Sequence, residues 1–286
     1  MGRTPGMGWV QPQRPRIGYD NLMSSQPAHP GAAELLADAR IALTRIPELP
    51  ATVRPASEPA AYQAQTGLVT KLLAHYGGQS IGYKIACTNA VAQRQLAVDG
   101  PFYGQLLAPL CFDSPARIAA SRFSMRVIEA EFAFRMGRDL PPGAQRTREE
   151  IAAAIDAVLP GIEIVDSRYE SWTTVGVLSL IADNACNGAW VKGDLVRDWR
   201  AFDLAAQSVS LIVNGETLRE GSGAAVLGHP LNAMQWLVEA LNARGVGLRA
   251  GEFVTTGVTT GVYEAHAGDR IRAEFGSVGA VDLTFD

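Results

Sequence analysis

The stretch that decides the fold and the chemistry of this chain is Val127-Ile128-Glu129-Ala130-Glu131-Phe132-Ala133-Phe134. Side chains of a β-strand point alternately to its two faces. A strand here would place Ile128, Phe132 and Phe134 on one face, and Glu129 and Glu131 on the other, roughly 7 Å apart. Adjacent carboxylates among apolar neighbours repel each other and are costly to remove from water. The pattern therefore indicates a compensating cation, and a hard divalent ion with oxygen ligands is the natural one.

A second short apolar run, residues 161–166, carries a third carboxylate, Glu163. Its isoleucines share one face of a strand, so Glu163 points to the other face. Mg²⁺ and Mn²⁺ prefer carboxylate ligands and leave positions for water or substrate. The alternative is that Glu129 and Glu131 form ion pairs on a solvated sheet face, with arginines such as Arg122, Arg126 or Arg168 as partners. The Glu-x-Glu spacing alone leaves both interpretations open.

The composition is that of a globular protein with a large core. The chain has 286 residues, 47% hydrophobic and 19% charged, with a formal net charge of −4. This mild acidity gives no reason to expect nucleic acid or an anionic membrane as a partner. No apolar run approaches the ~18 residues that a membrane span needs. Three widely spaced cysteines predict a reducing, cytoplasmic location, and residues 1–30, rich in Gly, Pro, Arg and Gln, predict a disordered tail.

Strands and helices alternate irregularly along the remainder of the chain. Apolar periodicity and capping signals predict helices over 32–46, 58–75, 89–98, 148–158 and 230–243. Alternating or short apolar runs predict strands over 80–87, 126–135, 161–166, 208–214, 252–258, 269–275 and 279–285. A Rossmann glycine fingerprint is absent. The order favours an α+β fold with a large mixed sheet over a doubly wound fold.

Four further polar residues are candidates for the chemistry. Lys84, between small residues on a predicted strand, would bind a substrate carboxylate or polarise a ketone; a lysine at a strand edge that extends to solvent is the alternative. Asp183 and Asn184 end an apolar run and would position substrate or water, although Asp-Asn also favours simple turns. Arg168 would pair with a ligand carboxylate or with an acidic side chain.

Taken together, these segments resemble the 2-keto-4-pentenoate hydratase and 4-oxalocrotonate decarboxylase group of the fumarylacetoacetate hydrolase superfamily. The matching segments, whose order and separation fit over roughly residues 33–286, are 82–88 (Gly-Tyr-Lys-Ile-Ala-Cys-Thr), 128–131 (Ile-Glu-Ala-Glu), 162–168 (Ile-Glu-Ile-Val-Asp-Ser-Arg), 181–184 (Ile-Ala-Asp-Asn), 228–231 (Gly-His-Pro-Leu) and 236–237 (Trp-Leu). The joint match is far more specific than any one motif.

The resemblance implies a mixed β-roll or sandwich core with a small helical N-terminal subdomain. We therefore expect a tail over 1–30, a helical subdomain with the Lys84 strand over 31–104, and a β-rich catalytic domain over 105–286. The resemblance also implies Mg²⁺ or Mn²⁺ held by Glu129, Glu131 and Glu163, with Lys84 facing the substrate. Asp183 and Asn184 are weaker catalytic candidates, and a homo-oligomer is implied.

The activity implied by the resemblance is a hydratase of aromatic-compound catabolism. It would add water to a small 2-hydroxydienoic acid, such as 2-hydroxypenta-2,4-dienoate, and give a 4-hydroxy-2-oxo acid. Three positions depart from the group. Phe102 replaces an acidic residue, and Asn89 stands where serine is common. Val258 replaces a small residue and loses a hydroxyl contact with substrate, for which Thr256, Thr259 or Thr260 would substitute, with Thr259 the residue expected to bind substrate. Phe102 favours the decarboxylases, which act on a 2-oxo acid. An acylpyruvate C–C hydrolase and a non-catalytic homologue are the remaining alternatives.

Overall fold

Two mixed β-sheets form the centre of the computed structural model, which describes residues 30–286. The larger sheet has the strand order β2 (Phe102–Leu107), β1 (Ser80–Ala86), β10 (Phe253–Val258), β5 (Val127–Met136), β6 (Ile155–Val165), β7 (Asn187–Lys192) and β3 (Cys111–Asp113), and β11 (Tyr263–Glu264) also pairs with β5. The smaller sheet has the order β4 (Ala116–Ile118), β13 (Ala280–Phe285), β12 (Arg270–Glu274), β8 (Ser208–Val213) and β9 (Glu216–Ser222). Parallel and antiparallel pairs occur in both sheets. The α+β class predicted from the sequence is confirmed.

Strand β5 has one apolar face and one acidic face, as its alternation predicts. Ile128, Phe132 and Phe134 are fully buried. The smaller sheet packs against this face, where the rings of Phe132 and Phe275 meet edge to face with centroids 5.0 Å apart. The glutamates of β5 therefore point away from the smaller sheet, towards the other side of the larger one.

The helices lie outside the sheets and complete the core. They are α1 (Pro30–Ile41), α2 (Glu58–Tyr76), α3 (Ala90–Leu96), α4 (Arg148–Ala154), α5 (Val177–Ala182) and α6 (Pro230–Asn242). Helix α2 begins at the predicted cap, because the Ser57 side chain accepts a hydrogen bond from the Ala60 amide, and it ends at Gly77. The buried Gln65 amide donates to the carbonyls of Tyr103 and Ile181, which ties α2 to β2 and α5.

Two predicted helices are shorter than their sequence patterns indicate. The first ends at Ile41 instead of residue 46, and Leu43 just beyond it adopts a positive φ of 53°. Helix α4 ends at Ala154, so residues 155–158 lie in β6 and not in the helix. The strand prediction for residues 161–166 was correspondingly too short. At the Ala154–Ile155 boundary a largely buried apolar run continues from helix into strand, whereas Ile41 and Leu43 at the end of α1 are exposed. In neither case does apolar periodicity alone mark where the conformation changes.

Three predictions about the organisation of the chain have different outcomes. The predicted tail over 1–30 lies outside the described residues, except for Pro30, where α1 begins. The division at residue 104 stays a prediction; β1 and β2 are strands of the same sheet as β5 and β10. Within residues 30–286, no helix combines the length and the apolar character needed to cross a bilayer.

Candidate metal and substrate site

The three glutamates singled out from the sequence meet on the larger sheet. Glu129 and Glu131 are two residues apart on β5, and Glu163 on β6 is the register partner of Glu129. Each offers a carboxylate oxygen, and these oxygens all lie within 4.8 Å of one another. Glu131 and Glu163 are fully buried, while Glu129 is half-buried. Strand pairing thus gathers three carboxylates in a space that one cation can fill.

In the two buried glutamates, one oxygen is held by the protein and the other is free. The Gly257 amide donates to Oε2 of Glu131 at 3.0 Å. The Asn187 side chain donates to Oε1 of Glu163 at 2.9 Å, and the Lys84 ammonium lies 3.0 Å from the same oxygen. The remaining oxygens, Oε1 of Glu131 and Oε2 of Glu163, have no hydrogen-bond partner among the described residues. Buried, unpaired carboxylate oxygens are costly, so this donor set fits a hard divalent cation.

The crowding of carboxylates changes the protonation of the site. Burial raises the pKa of Glu129 to about 7; Lys84 opposes this rise and Glu163 adds to it. Burial, followed by repulsion from Glu163 and Glu129, raises the pKa of Glu131 well above its usual value. For Lys84, burial acts to lower the pKa, but the three glutamates outweigh it and the net shift is upward. The lysine is therefore a cation, and a metal ion has to displace protons from the glutamates.

Lys84 is an interior residue and not a lysine at a strand edge. Strand β1 lies between β2 and β10, and the Lys84 residue is only 2% exposed. Its ammonium group also donates to the carbonyl of Ala185 at 3.0 Å. The cationic partner of Glu163 is thus Lys84. Among residues 30–286 no arginine forms an ion pair with Glu129 or Glu131, and Glu131 is fully buried, which overturns the alternative of arginine pairs on a solvated face.

A cavity of about 720 Å³ opens beside this cluster. Lys84 and Glu129 form part of its wall, and Phe102 and Thr259, both expected from the sequence to contact substrate, line it as well. The Thr259 hydroxyl donates to the Ala130 carbonyl at 2.7 Å. Asn89, one of the departures noted in the sequence, also lines the cavity, where its side chain caps α3.

Asp183 and Asn184 lie behind the cavity wall and do not line it. The Asp183 carboxylate accepts hydrogen bonds from the Ser167 hydroxyl at 3.0 Å and from the Arg168 amide at 2.8 Å. The Asn184 side chain accepts from the Gln105 amide at 2.7 Å and donates to its carbonyl at 2.9 Å. Both side chains are therefore occupied in holding neighbouring segments in place, and their direct contact with substrate stays a prediction.

Arg168 is also buried away from the cavity. Its guanidinium forms an ion pair of 2.5 Å with Asp166, and both side chains are 0% exposed. Arg40 binds the same carboxylate from α1 at 3.0 Å. Of the two roles considered from the sequence, pairing with an acidic side chain is the one that the structure contains.

Two contacts of the cluster were missed in the sequence. Asn187 begins β7 and carries no pattern that would single it out, although its amide orients Glu163. Gly257 was given no role from the sequence, where only its neighbour Val258 was noted. Its φ of +104° and its close approach to Thr88, whose hydroxyl would lie 1.8 Å from an added Cβ, require glycine there. This conformation aims the Gly257 amide at Glu131.

Comparison with known proteins agrees with the resemblance seen in the sequence. Residues 89–285 match the model of the fumarylacetoacetate (FAA) hydrolase C-terminal family. A 2-keto-4-pentenoate hydratase of Paraburkholderia xenovorans (strain LB400) is 36% identical over 210 residues, which are 73% of this chain and 77% of that protein. A 4-oxalocrotonate decarboxylase of Pseudomonas putida is 32% identical over 210 residues, 73% of this chain and 78% of that one.

The solved structures agree with this assignment. The 4-oxalocrotonate decarboxylase from Pseudomonas putida G7, complexed with magnesium and adipate, superimposes with a TM-score of 0.84 and 28% identity. The match covers 90% of this chain and 97% of the decarboxylase. On the extent of the family match and the identity to relatives over most of their length, this chain belongs to the fumarylacetoacetate hydrolase family.

Proposed function

We propose that this chain is a divalent-metal-dependent hydratase of a 2-hydroxydienoic acid, of the 2-hydroxypenta-2,4-dienoate type. The observation that carries the proposal is the cluster of Glu129, Glu131 and Glu163, in which the two buried glutamates each keep a free oxygen, beside Lys84 at the wall of a cavity. The hydratase relatives, similar over about three quarters of the chain, support the reaction type.

We propose Mg²⁺ or Mn²⁺ as the ion that the three glutamates hold. All three donors are carboxylates, which these hard cations prefer over nitrogen or sulfur. A related decarboxylase has been solved with magnesium, and this supports a divalent ion in the same fold. When bound, such an ion acts as a Lewis acid towards the carboxylate and C2 oxygen of a 2-oxo acid and stabilises negative charge on them.

The protein side chains would supply the proton chemistry. The dienol takes a proton at C5 and loses its C2 hydroxyl proton, which gives the isomeric 2-oxo-3-enoate. The oxygen of water then adds at C4 and loses one proton while C3 gains one, which gives the 4-hydroxy-2-oxo acid. Lys84 is a buried cation at the cavity wall, placed to stabilise the developing enolate oxygen or to transfer a proton to it. Glu163 holds the Lys84 ammonium in position.

A 2-oxo acid decarboxylase of the 4-oxalocrotonate type is the second candidate. Its specific support is the TM-score of 0.84 to a 4-oxalocrotonate decarboxylase, together with the apolar Phe102 at the cavity wall. An acylpyruvate hydrolase is less favoured because it needs a base to activate water. No histidine of the described chain lines the cavity, and His75 is an exposed residue of α2.

The product distinguishes these candidates. Purified protein would be incubated with Mg²⁺ or Mn²⁺ and, separately, with 2-hydroxypenta-2,4-dienoate and 4-oxalocrotonate, and products would be identified by mass. Gain of water that is lost with EDTA and in Glu129→Gln is the expected result. Loss of CO₂ would make the chain a decarboxylase. A folded protein that binds no divalent ion and converts neither substrate would favour the non-catalytic homologue.

We also propose a homo-oligomer in a reducing compartment, with a place in the catabolism of aromatic compounds. The three cysteines are free thiols in this structure, which fits the cytoplasm. Light scattering coupled to gel filtration measures the number of chains in the assembly, and a purely monomeric protein at micromolar concentration would contradict the oligomer.

A further inference from the structure

The cavity is much larger than a five-carbon substrate. A 2-hydroxypentadienoate has eight non-hydrogen atoms, and at roughly 30 Å³ each, the share of a water molecule in the liquid, these fill roughly 240 Å³. The cavity measures about 720 Å³, within the range of about 300–1,000 Å³ that is typical for drug-sized ligands. Space therefore remains beyond the carbons that would react.

The wall of that space is mainly apolar, including at its mouth. Leu96, Phe102 and Leu180 are buried residues of the wall. Val91 and Val262 also line it, and they are 65% and 41% exposed, which places them among the few large apolar side chains that the described chain leaves open to solvent. Exposed apolar side chains that line a cavity are typical of contact with an apolar ligand group.

The charges along the wall are unsuited to a second anionic group. Lys84 is the only lysine or arginine of residues 30–286 that lines the cavity, and it is already paired with Glu163. Two exposed glutamates, Glu220 and Glu264, line the cavity in addition to Glu129. Neither forms an ion pair with a lysine or arginine of residues 30–286.

The position of Glu264 relative to the metal cluster follows from strand register. Glu264 on β11 pairs with Val127 on β5, and Val127 shares its strand face with Glu129 two residues further on. The Glu264 side chain thus shares the face of the cluster and lies one strand across and two residues along from Glu129. Arg219 lies close by, with its side chain against Gly261, but it donates to the carbonyl of Leu218 and does not line the cavity.

From these observations, and resting on the proposed function, we infer that the cavity selects a monocarboxylic acid. The substrate carries its one carboxylate at the metal cluster and an apolar substituent, longer than that of a pentadienoate, towards Val91 and Val262. A second carboxylate at the far end is rejected, because it meets Glu220 and Glu264 in a cavity whose wall holds no lysine or arginine of residues 30–286 other than the paired Lys84.

The test measures binding, with 2-oxo acids that the enzyme cannot dehydrate or hydrate. Dissociation constants would be determined by titration calorimetry at saturating Mg²⁺ for 2-oxopentanoate, 2-oxohexanoate, 2-oxooctanoate and 2-oxohexanedioate. Each additional buried CH₂ is expected to tighten binding about fourfold. The monoacid 2-oxohexanoate is expected to bind at least about tenfold more tightly than the diacid of the same chain length.

Variants connect the selectivity to named residues. The double variant Glu220→Gln with Glu264→Gln should reduce the tenfold preference for the monoacid to less than about threefold. Arg219→Gln, the matched control, should leave the preference unchanged. A diacid that binds as tightly as the monoacid, or that weakens in Arg219→Gln, would overturn the inference while the proposed function stands. If no 2-oxo acid binds in the presence of Mg²⁺, the proposed function fails and the inference fails with it.

Discussion

Replacing Glu129 by glutamine should stabilise the metal-free protein at alkaline pH and remove its stabilisation by Mg²⁺. The substitution keeps the size of the side chain and takes one negative charge out of the cluster. Burial raises the pKa of Glu129 to about 7 from a value of 4.5 for the free side chain. Between these two pH values the folded chain binds more protons than the unfolded chain, so its stability falls as pH rises.

The size of the change in stability follows from the pKa shift of Glu129. At about 1.36 kcal/mol for each pKa unit, the ionised Glu129 destabilises the folded, metal-free chain by about 3 kcal/mol above pH 7. This shift already includes the attraction to Lys84. Because glutamine is itself a polar group that has to be buried, the expected gain is about 1–3 kcal/mol. At pH 4 or below the glutamate is neutral in both states, so the variant should have nearly the same stability as the wild type.

Divalent metal should remove most or all of the stability advantage of the variant. At a Mg²⁺ concentration 100 times its dissociation constant, the wild type should gain about 2.7 kcal/mol, whereas the variant with two carboxylates should gain much less. Because Mg²⁺ competes with protons, the wild-type gain should grow as pH rises to about 7 and level off above it.

The free energy of unfolding of the wild type and the variant would be measured by urea denaturation, followed by circular dichroism. The four conditions are pH 8 and pH 4, each with EDTA and with Mg²⁺. Glu264→Gln is the control, because this exposed carboxylate shares the strand face but lies outside the cluster. Two results would refute the reasoning: a Glu129→Gln protein less stable than the wild type in EDTA at pH 8, or equal stabilisation of both by Mg²⁺.

Three further substitutions separate the roles of other residues. Lys84→Met should lower kcat by about 10²-fold or more while calorimetry still detects Mg²⁺ binding; an unchanged kcat would remove Lys84 from the reaction. Gly257→Ala should lower the free energy of unfolding by about 1–3 kcal/mol and weaken Mg²⁺ binding, since its Cβ would collide with the Thr88 hydroxyl at 1.8 Å and turn the Glu131 donor away; normal Mg²⁺ affinity would contradict this. Asn184→Ala should cost about 1–3 kcal/mol of stability by leaving the Gln105 backbone unpaired, with Mg²⁺ affinity unchanged.

The cluster of glutamates could be predicted because it depends on local alternation. The period of two on β5 determines that Glu129 and Glu131 share a face, and burial of the opposite face determines which side that is. The pairing of Glu129 with Glu163 could not be read from spacing, since 34 positions separate them and register depends on the whole sheet. The family resemblance implied that Glu163 joins Glu129 and Glu131 in one metal site. In the structure, Glu163 is the register partner of Glu129.

Other features of the fold and of the site were not predicted, because long-range packing overrides the local sequence pattern. Residues 148–158 have a cap, acidic residues in the first turn and apolar residues at helical spacing. The helix nevertheless ends at Ala154, and from Ile155 onwards the chain pairs with the sheet as β6. Asn187 and the Gly257 amide act through contacts across 24 and 126 positions of sequence, respectively. Asp183 and Asn184 stood out as polar residues beside an apolar run, but hydrogen bonding to backbone groups is a common use of buried polar side chains.

The charge balance of the site connects the metal cluster with the selectivity of the cavity. Three carboxylates are balanced by Lys84 and one divalent cation, so the loaded cluster is neutral. A monoanionic 2-oxo acid adds one negative charge, which is placed directly on the cation. A dianion adds a second charge near Glu220 and Glu264, where no lysine or arginine of residues 30–286 other than Lys84 lines the cavity to balance it. If the chain decarboxylated a diacid, the cavity would need a cation at its far end; the variant Glu220→Arg should therefore bring the affinity for 2-oxohexanedioate up to that for 2-oxohexanoate.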